Sequence, residues 1–330
     1  MKRLLSAAVC LLLLIAAAGC GSPSGLSSAK VNIVATVFPL YDWVRELTAG
    51  ADGVEVTLLL DNGVDLHSYQ PTADDILKIS TCDLFVFVGG ESDDWVEDAL
   101  KESVNKNMET ADLLALLGEN AKAEEHVEGM EEELEEEEHG EEDAHEEDEE
   151  PEIDEHVWLS LKNAAFFCRQ LTNRLEKLDS QNASLYRANR DAYLEKLDEL
   201  DERYHAAAET AKMKTLIFAD RFPFRYLTDD YGLSYYAAFA GCSAESEAKF
   251  ETVIFLAKKV DELGTGCVLQ LESSDGSLAR TVVRNTAAKN QKILTLNSLQ
   301  SATAEDAKSG VTYLSLMEAN LEVLKEALAG

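Results

Sequence analysis

Val31-Asn32-Ile33-Val34-Ala35-Thr36-Val37 is an apolar, β-branched run; beyond Phe38-Pro39 the chain takes up helical spacing over residues 40–49 and stops at Gly50. A short strand of this kind feeding a helix is the building unit of a mostly parallel sheet. The unit recurs. Residues 54–60 and 84–88 read as strands, with helices over 72–79, where Asp74 and Asp75 suit the positive end of the helix dipole, and over 94–102. Farther along, strands at 215–219, 235–240, 268–271 and 293–296 alternate with helices at 250–263, 278–289 and 313–328. The expected fold class is α/β, with two lobes, each a mostly parallel sheet flanked by helices.

Between the two halves the pattern is helical. Residues 161–178 read as one helix and 180–212 as another, free of Pro and Gly and about 50 Å long at 1.5 Å per residue. Leu185, Tyr193, Leu197, Leu200 and Tyr204 share one face of it. The expected organisation is an N-terminal lobe over 31–160, a helical segment over 161–212 that joins the lobes rigidly, and a C-terminal lobe over 213–330.

The 330 residues have ordinary globular proportions, 46% hydrophobic and 28% charged, with length for two domains of roughly 150 residues. The net charge of -34 excludes a nucleic-acid binder, which needs clustered Lys and Arg, and makes cations the natural partners. Residues 119–155 hold 22 Asp or Glu against one Lys. Repulsion predicts that this insertion is unfolded in isolation, and its His126, His139 and His145 predict a loose cation-collecting loop.

Met1-Lys2-Arg3 precedes fifteen residues, 4–18, of which only Ser6 is polar. That run is shorter than the ~20 residues of a membrane span, so residues 1–19 read as a signal peptide and the protein as exported. Ala17-Ala18-Gly19-Cys20 resembles a bacterial lipobox with Ala17 at the usual Leu position, and makes Cys20 the lipidated residue, with a flexible tether over 20–30. Cys82, Cys168, Cys242 and Cys267 remain, readable as a disulfide framework or as small buried hydrophobes; no CxxC pair points to a thiolate zinc site.

Parallel sheets bind ligands at the carboxyl ends of their strands. The polar residues expected there are His67, Asp220, Glu272 and Asn297, while His156 stands at the exit of the acidic tract in Asp154-Glu155-His156-Val157-Trp158. Two imidazoles and one or two oxygens make a four-coordinate site for a metal such as zinc. Asp220 also reads as a helix cap. No GxSxG, HExxH, P-loop or GxGxxG is present.

The segments Ala35-Thr36-Val37-Phe38-Pro39-Leu40-Tyr41-Asp42-Trp43-Val44, Gly63-Val64-Asp65-Leu66-His67-Ser68-Tyr69-Gln70-Pro71 and Glu155-His156-Val157-Trp158-Leu159 resemble the zinc/manganese solute-binding lipoproteins of metal ABC importers, over roughly residues 31–330. The resemblance implies a metal in the cleft between the lobes, with His67 and His156 as ligands. It implies a third ligand, His or Glu, just before a Phe-x-Tyr segment. Strict spacing puts Arg221 there, and because Arg cannot ligate a cation the expectation moves to Asp220. The fourth position corresponds to Asn297, with Glu272 or water as substitutes. The expected function is capture of zinc, with manganese as the alternative, and delivery to an ABC permease from a lipid anchor on the outer face of the cytoplasmic membrane or in the periplasm. It is a non-enzymatic role. Two rival classes are a hydrolase with a water on an open zinc held by His67, His156 and Asp220, which lacks any supporting motif, and a surface adhesin, which leaves the strand-end ligands unexplained.

Overall fold

In the first strand, β1 (Val31–Ala35), all residues but Asn32 are buried, as a strand covered on both faces requires. β2 (Val54–Leu58), β3 (Leu84–Phe87) and β4 (Glu109–Asp112) complete a parallel sheet of order β2-β1-β3-β4. A second parallel sheet, β6-β5-β7-β8, is built from β5 (Thr215–Arg221), β6 (Ser234–Phe239), β7 (Cys267–Leu271) and β8 (Lys292–Leu296). The computed structural model describes residues 31–63, 65–131, 152–243 and 248–330; the expected signal peptide, tether and Cys20, and His139 and His145, lie outside them. The fold is the expected two-lobed α/β arrangement.

In both sheets the order reverses beside the first strand, which leaves a crevice at the carboxyl ends of β1 and β3, and of β5 and β7. The helices that cover them begin where the sequence signals them. α1 (Phe38–Leu47) carries Pro39 in its first turn, and α2 (Ala73–Thr81) is opened by a reciprocal capping box between Thr72 and Asp75. The first half continues with α3 (Trp95–Lys101) and the short α4 (Leu113–Leu117). α5 (Leu161–Leu178) matches its expected span, and α6 (Ala183–Glu209) is shorter than expected, at about 40 Å. Its start is delayed because Asp179 accepts hydrogen bonds from Asn182 and Tyr186 and turns the chain between the two helices. In the second half, α7 (Arg225–Tyr231), α8 (Phe250–Leu263), α9 (Ser277–Asn285), α10 (Ala304–Lys308) and α11 (Tyr313–Leu328) follow. Among the described residues no helix is long and apolar enough to cross a membrane.

The β5 residues divide between two apolar clusters: Leu216 and Phe218 face one, Ile217 and Ala219 the other. The smaller cluster lies between the C-terminal sheet and α8 and α9. The larger runs from Val31 to Leu328 through both lobes and the helices between them. Trp158 sits at the join. Its Nε1–H donates to Ser298 O at 2.9 Å, and its carbonyl accepts the Tyr313 hydroxyl at 2.7 Å.

Asp42 caps α11 from a distance, accepting the Tyr313 N–H at 2.8 Å. Burial pushes its carboxyl up to about 6, against the opposing pull of that N–H. A raised folded-state pKa means that this group's contribution to stability falls as pH rises from about 4 to about 6, by roughly 2–3 kcal/mol. Asp42→Asn keeps the acceptor and removes the charge. Urea unfolding is expected to show the variant more stable than the parent above pH 6 and equal to it below pH 4; a constant difference at all pH values would contradict the assignment.

Candidate metal centre

His67 lies in a single turn, Leu66–Ser68, after β2, and Asp65 caps that turn by accepting the His67 N–H at 3.1 Å. His156 directly precedes the turn Val157–Leu159 and is fully buried, donating its N–H to Asp154 Oδ1 at 2.8 Å. Their rings meet in the crevice with Nε2 of one 3.3 Å from Nε2 of the other. Each ring is held from behind. His156 Nδ1 is 3.0 Å from Asp154 Oδ1, and His67 Nδ1 is 2.7 Å from Ser92 Oγ, which is itself bonded to Glu155. With the proton on Nδ1 in both rings, these contacts are satisfied and both Nε2 lone pairs are available to ligate. Burial, aided by the facing His156, pushes His67 down to about 3, so its ring is neutral at physiological pH.

The separation is informative. Two nitrogens bound to one tetrahedral zinc at about 2.0–2.1 Å stand ~3.3 Å apart. A third donor joins them: one ligand atom each from His67, His156 and Cys242 lie within 4.8 Å of one another, the only such group among the described residues. Cys242 follows β6 and donates its N–H to Glu124 Oε1 at 2.8 Å. Burial, with the carboxylates of Glu124, Asp154 and Glu155, pushes its thiol up. Beside it, Gly241 leaves no room for a side chain, since a Cβ there would lie 2.9 Å from Phe222 O and 3.3 Å from the His156 ring. A cavity of about 250 Å³ opens along His67, Ser92, Glu155 and Cys242.

Three expected oxygen donors are not brought to the imidazole pair. Asp220 turns back into its sheet, accepting the N–H groups of Leu271 at 3.1 Å and Arg221 at 2.9 Å. Asn297 accepts from Leu299 N at 2.7 Å, and Glu272 takes Ser298 N–H, Ser298 Oγ and Ser301 Oγ at 2.7–3.0 Å. Arg221 reaches across the cleft instead, pairing with Asp65 while its other arm bonds Ser243 O at 3.3 Å. Burial raises the Asp65 carboxyl, but Arg221 and His67 together outweigh it and hold it below the usual range.

Cysteines 82, 168, 242 and 267 are all free, so no disulfide links them. The acidic tract is ordered at its described ends: Glu125 pairs with Arg225, Glu128 with Lys259 and Glu131 with Lys249, and Ala123 bridges to Ile153. Repulsion does not unfold this part because the carboxylates find cations on the C-terminal lobe. His126 is exposed there.

Comparisons agree on one family. The model of the family "Zinc-uptake complex component A periplasmic" matches residues 33–327. The chain is 32% identical over 327 residues to zinc-binding lipoprotein AdcA of Streptococcus pneumoniae, covering 98% of this chain but 60% of that protein's length. It is 31% identical over 319 residues to the high-affinity zinc uptake system protein ZnuA of Bacillus subtilis, covering 96% and 94% of the two chains. Among solved structures, the Zn(II)-bound ZnuA-like domain of Streptococcus pneumoniae AdcA superposes with a TM-score of 0.69 at 27% identity, over 92% of this chain and all of that one.

Proposed function

We propose a function that proceeds from kinship, since this chain belongs to the family of zinc-uptake complex component A: it captures a zinc ion in the cleft between its lobes and hands it to an ABC permease. His67 and His156 are the first two donors. The reading rests above all on the two Nε2 atoms, 3.3 Å apart with Nδ1 engaged behind each, because that is how two imidazoles share one tetrahedral ion. The family consists of solute-binding components rather than enzymes, and in this reading the chain makes and breaks no covalent bond in its cargo. Anchoring through Cys20 holds it at the outer face of the cytoplasmic membrane or in the periplasm, with the lobes over 31–160 and 213–330 joined through 161–212. Imidazole favours zinc, whereas manganese seeks an oxygen-rich shell, so manganese is the weaker cargo.

The test is dialysis of the protein against equal zinc and manganese, followed by elemental mass spectrometry. One zinc retained per chain is expected. Retained manganese or no retained metal would overturn the reading.

A further inference from the structure

We propose that the Cys242 sulfur is the third donor to the captured ion, in the place where the family resemblance leads one to expect a His or Glu. This rests on the capture reading above. Spacing assigns that place to Arg221, but its guanidinium cannot ligate a cation and is committed to Asp65 and Ser243 O. Asp220 and Glu272 are tied to backbone and hydroxyl groups of their own lobe. Cys242 alone of the remaining ligand-type side chains among the described residues joins the two imidazoles.

Its placement is built rather than incidental. The 242 N–H is fixed on Glu124, in a described end of the acidic tract, and Gly241 lets the chain lie against the His156 ring. A tetrahedral zinc at about 2.3 Å from sulfur and 2.0–2.1 Å from nitrogen needs an S···N distance near ~3.6 Å. The group is already within 4.8 Å, so closure by about 1 Å completes it. On binding, the Cys242 S–H bond breaks, a sulfur–metal bond forms and the proton passes to solvent. The carboxylates of Glu124, Asp154 and Glu155 around the thiol attract the dication. The cavity beside His67 and Cys242 has room for a water in the fourth position.

A donor set of two nitrogens and one thiolate is softer than the nitrogen and oxygen set implied by the resemblance. It turns selection toward zinc, cobalt and cadmium and away from manganese.

Cobalt(II) is the probe. The cobalt-loaded full chain is expected to show a sulfur-to-cobalt charge-transfer band in the near ultraviolet, which Cys242→Ser and Cys242→His both abolish. Zinc competition should place Cys242→Ser about 100-fold weaker than the parent, at the lower end of the two to three decades that one of four donors supplies, while Cys242→His regains most of the loss. A parent that binds zinc and cobalt without the band, with Cys242→Ser equally tight, overturns the sulfur donor and leaves capture standing. A parent that holds no zinc overturns the capture reading itself. Should Cys242→Ser fail to fold, the band in the parent and its loss in Cys242→His still decide the matter.

Discussion

Replacing His156 by alanine is expected to weaken zinc binding by about 10²–10³-fold. A structural zinc site yields roughly 10–16 kcal/mol, which shared over four donors is about 2.5–4 kcal/mol each, or about two to three decades in affinity. His156 stands at the high end of that range. Its ring is fully buried, its Nδ1 is oriented by Asp154, and it stacks edge-on against Trp158 at 5.3 Å, so a truncated side chain has no neighbour ready to take over. His67→Ala is expected to lose a similar factor, and Asp154→Asn, which disturbs only the support behind the ring, about 10–100-fold. Competition titration against a chelator of known zinc affinity gives all three values. A His156→Ala protein that binds zinc as tightly as its parent would remove the imidazole pair from the site.

The second large effect is on stability. Trp158→Ala deletes one of the largest fully buried side chains at the join between the lobes, and buried Trp-to-Ala changes cost about 3–5 kcal/mol. It also strips the Ser298 carbonyl of its donor, worth roughly 1 kcal/mol more. Against a usual total of about 5–15 kcal/mol, such a variant lies near the edge of folding. Urea denaturation should show the loss as a lowered midpoint, with Trp158→Phe recovering the packing but not the hydrogen bond. Leu77, which is 59% exposed, is the control, and its alanine variant should differ little from the parent. A Trp158→Ala protein as stable as Leu77→Ala would refute the idea that the lobes are joined through this side chain.

Much of this was legible in the sequence. The spans of α5, α8 and α11 agree residue for residue with the expectation, because each begins and ends where the periodicity does. β4 was not, since Glu109-Thr110-Ala111-Asp112 has no apolar run; it is the edge strand of its sheet and needs fewer buried residues. At the candidate site the two histidines were visible as rare residues at the crevice. Asp220 was visible too, at the end of β5, but nothing local tells whether a strand-end carboxylate points into the crevice or back to a neighbouring strand, and here it takes Leu271 N–H. Cys242 carried no local motif. Its only sign was its place just beyond β6, the edge strand next to β5, and its nearness to His156 is a tertiary contact across 86 positions of chain.

Because one apolar core runs through both lobes, spreading them to free an ion would expose side chains such as Trp158 and Tyr313 to water. Each large side chain uncovered costs about 2–3 kcal/mol, so wide opening is a rare excursion. On the proposed function, an ion held here would leave more readily by exchange with an incoming donor than by wide separation of the lobes. On that reading, the residence time of the ion would then depend more on the donors a receiver offers than on any spreading of the lobes.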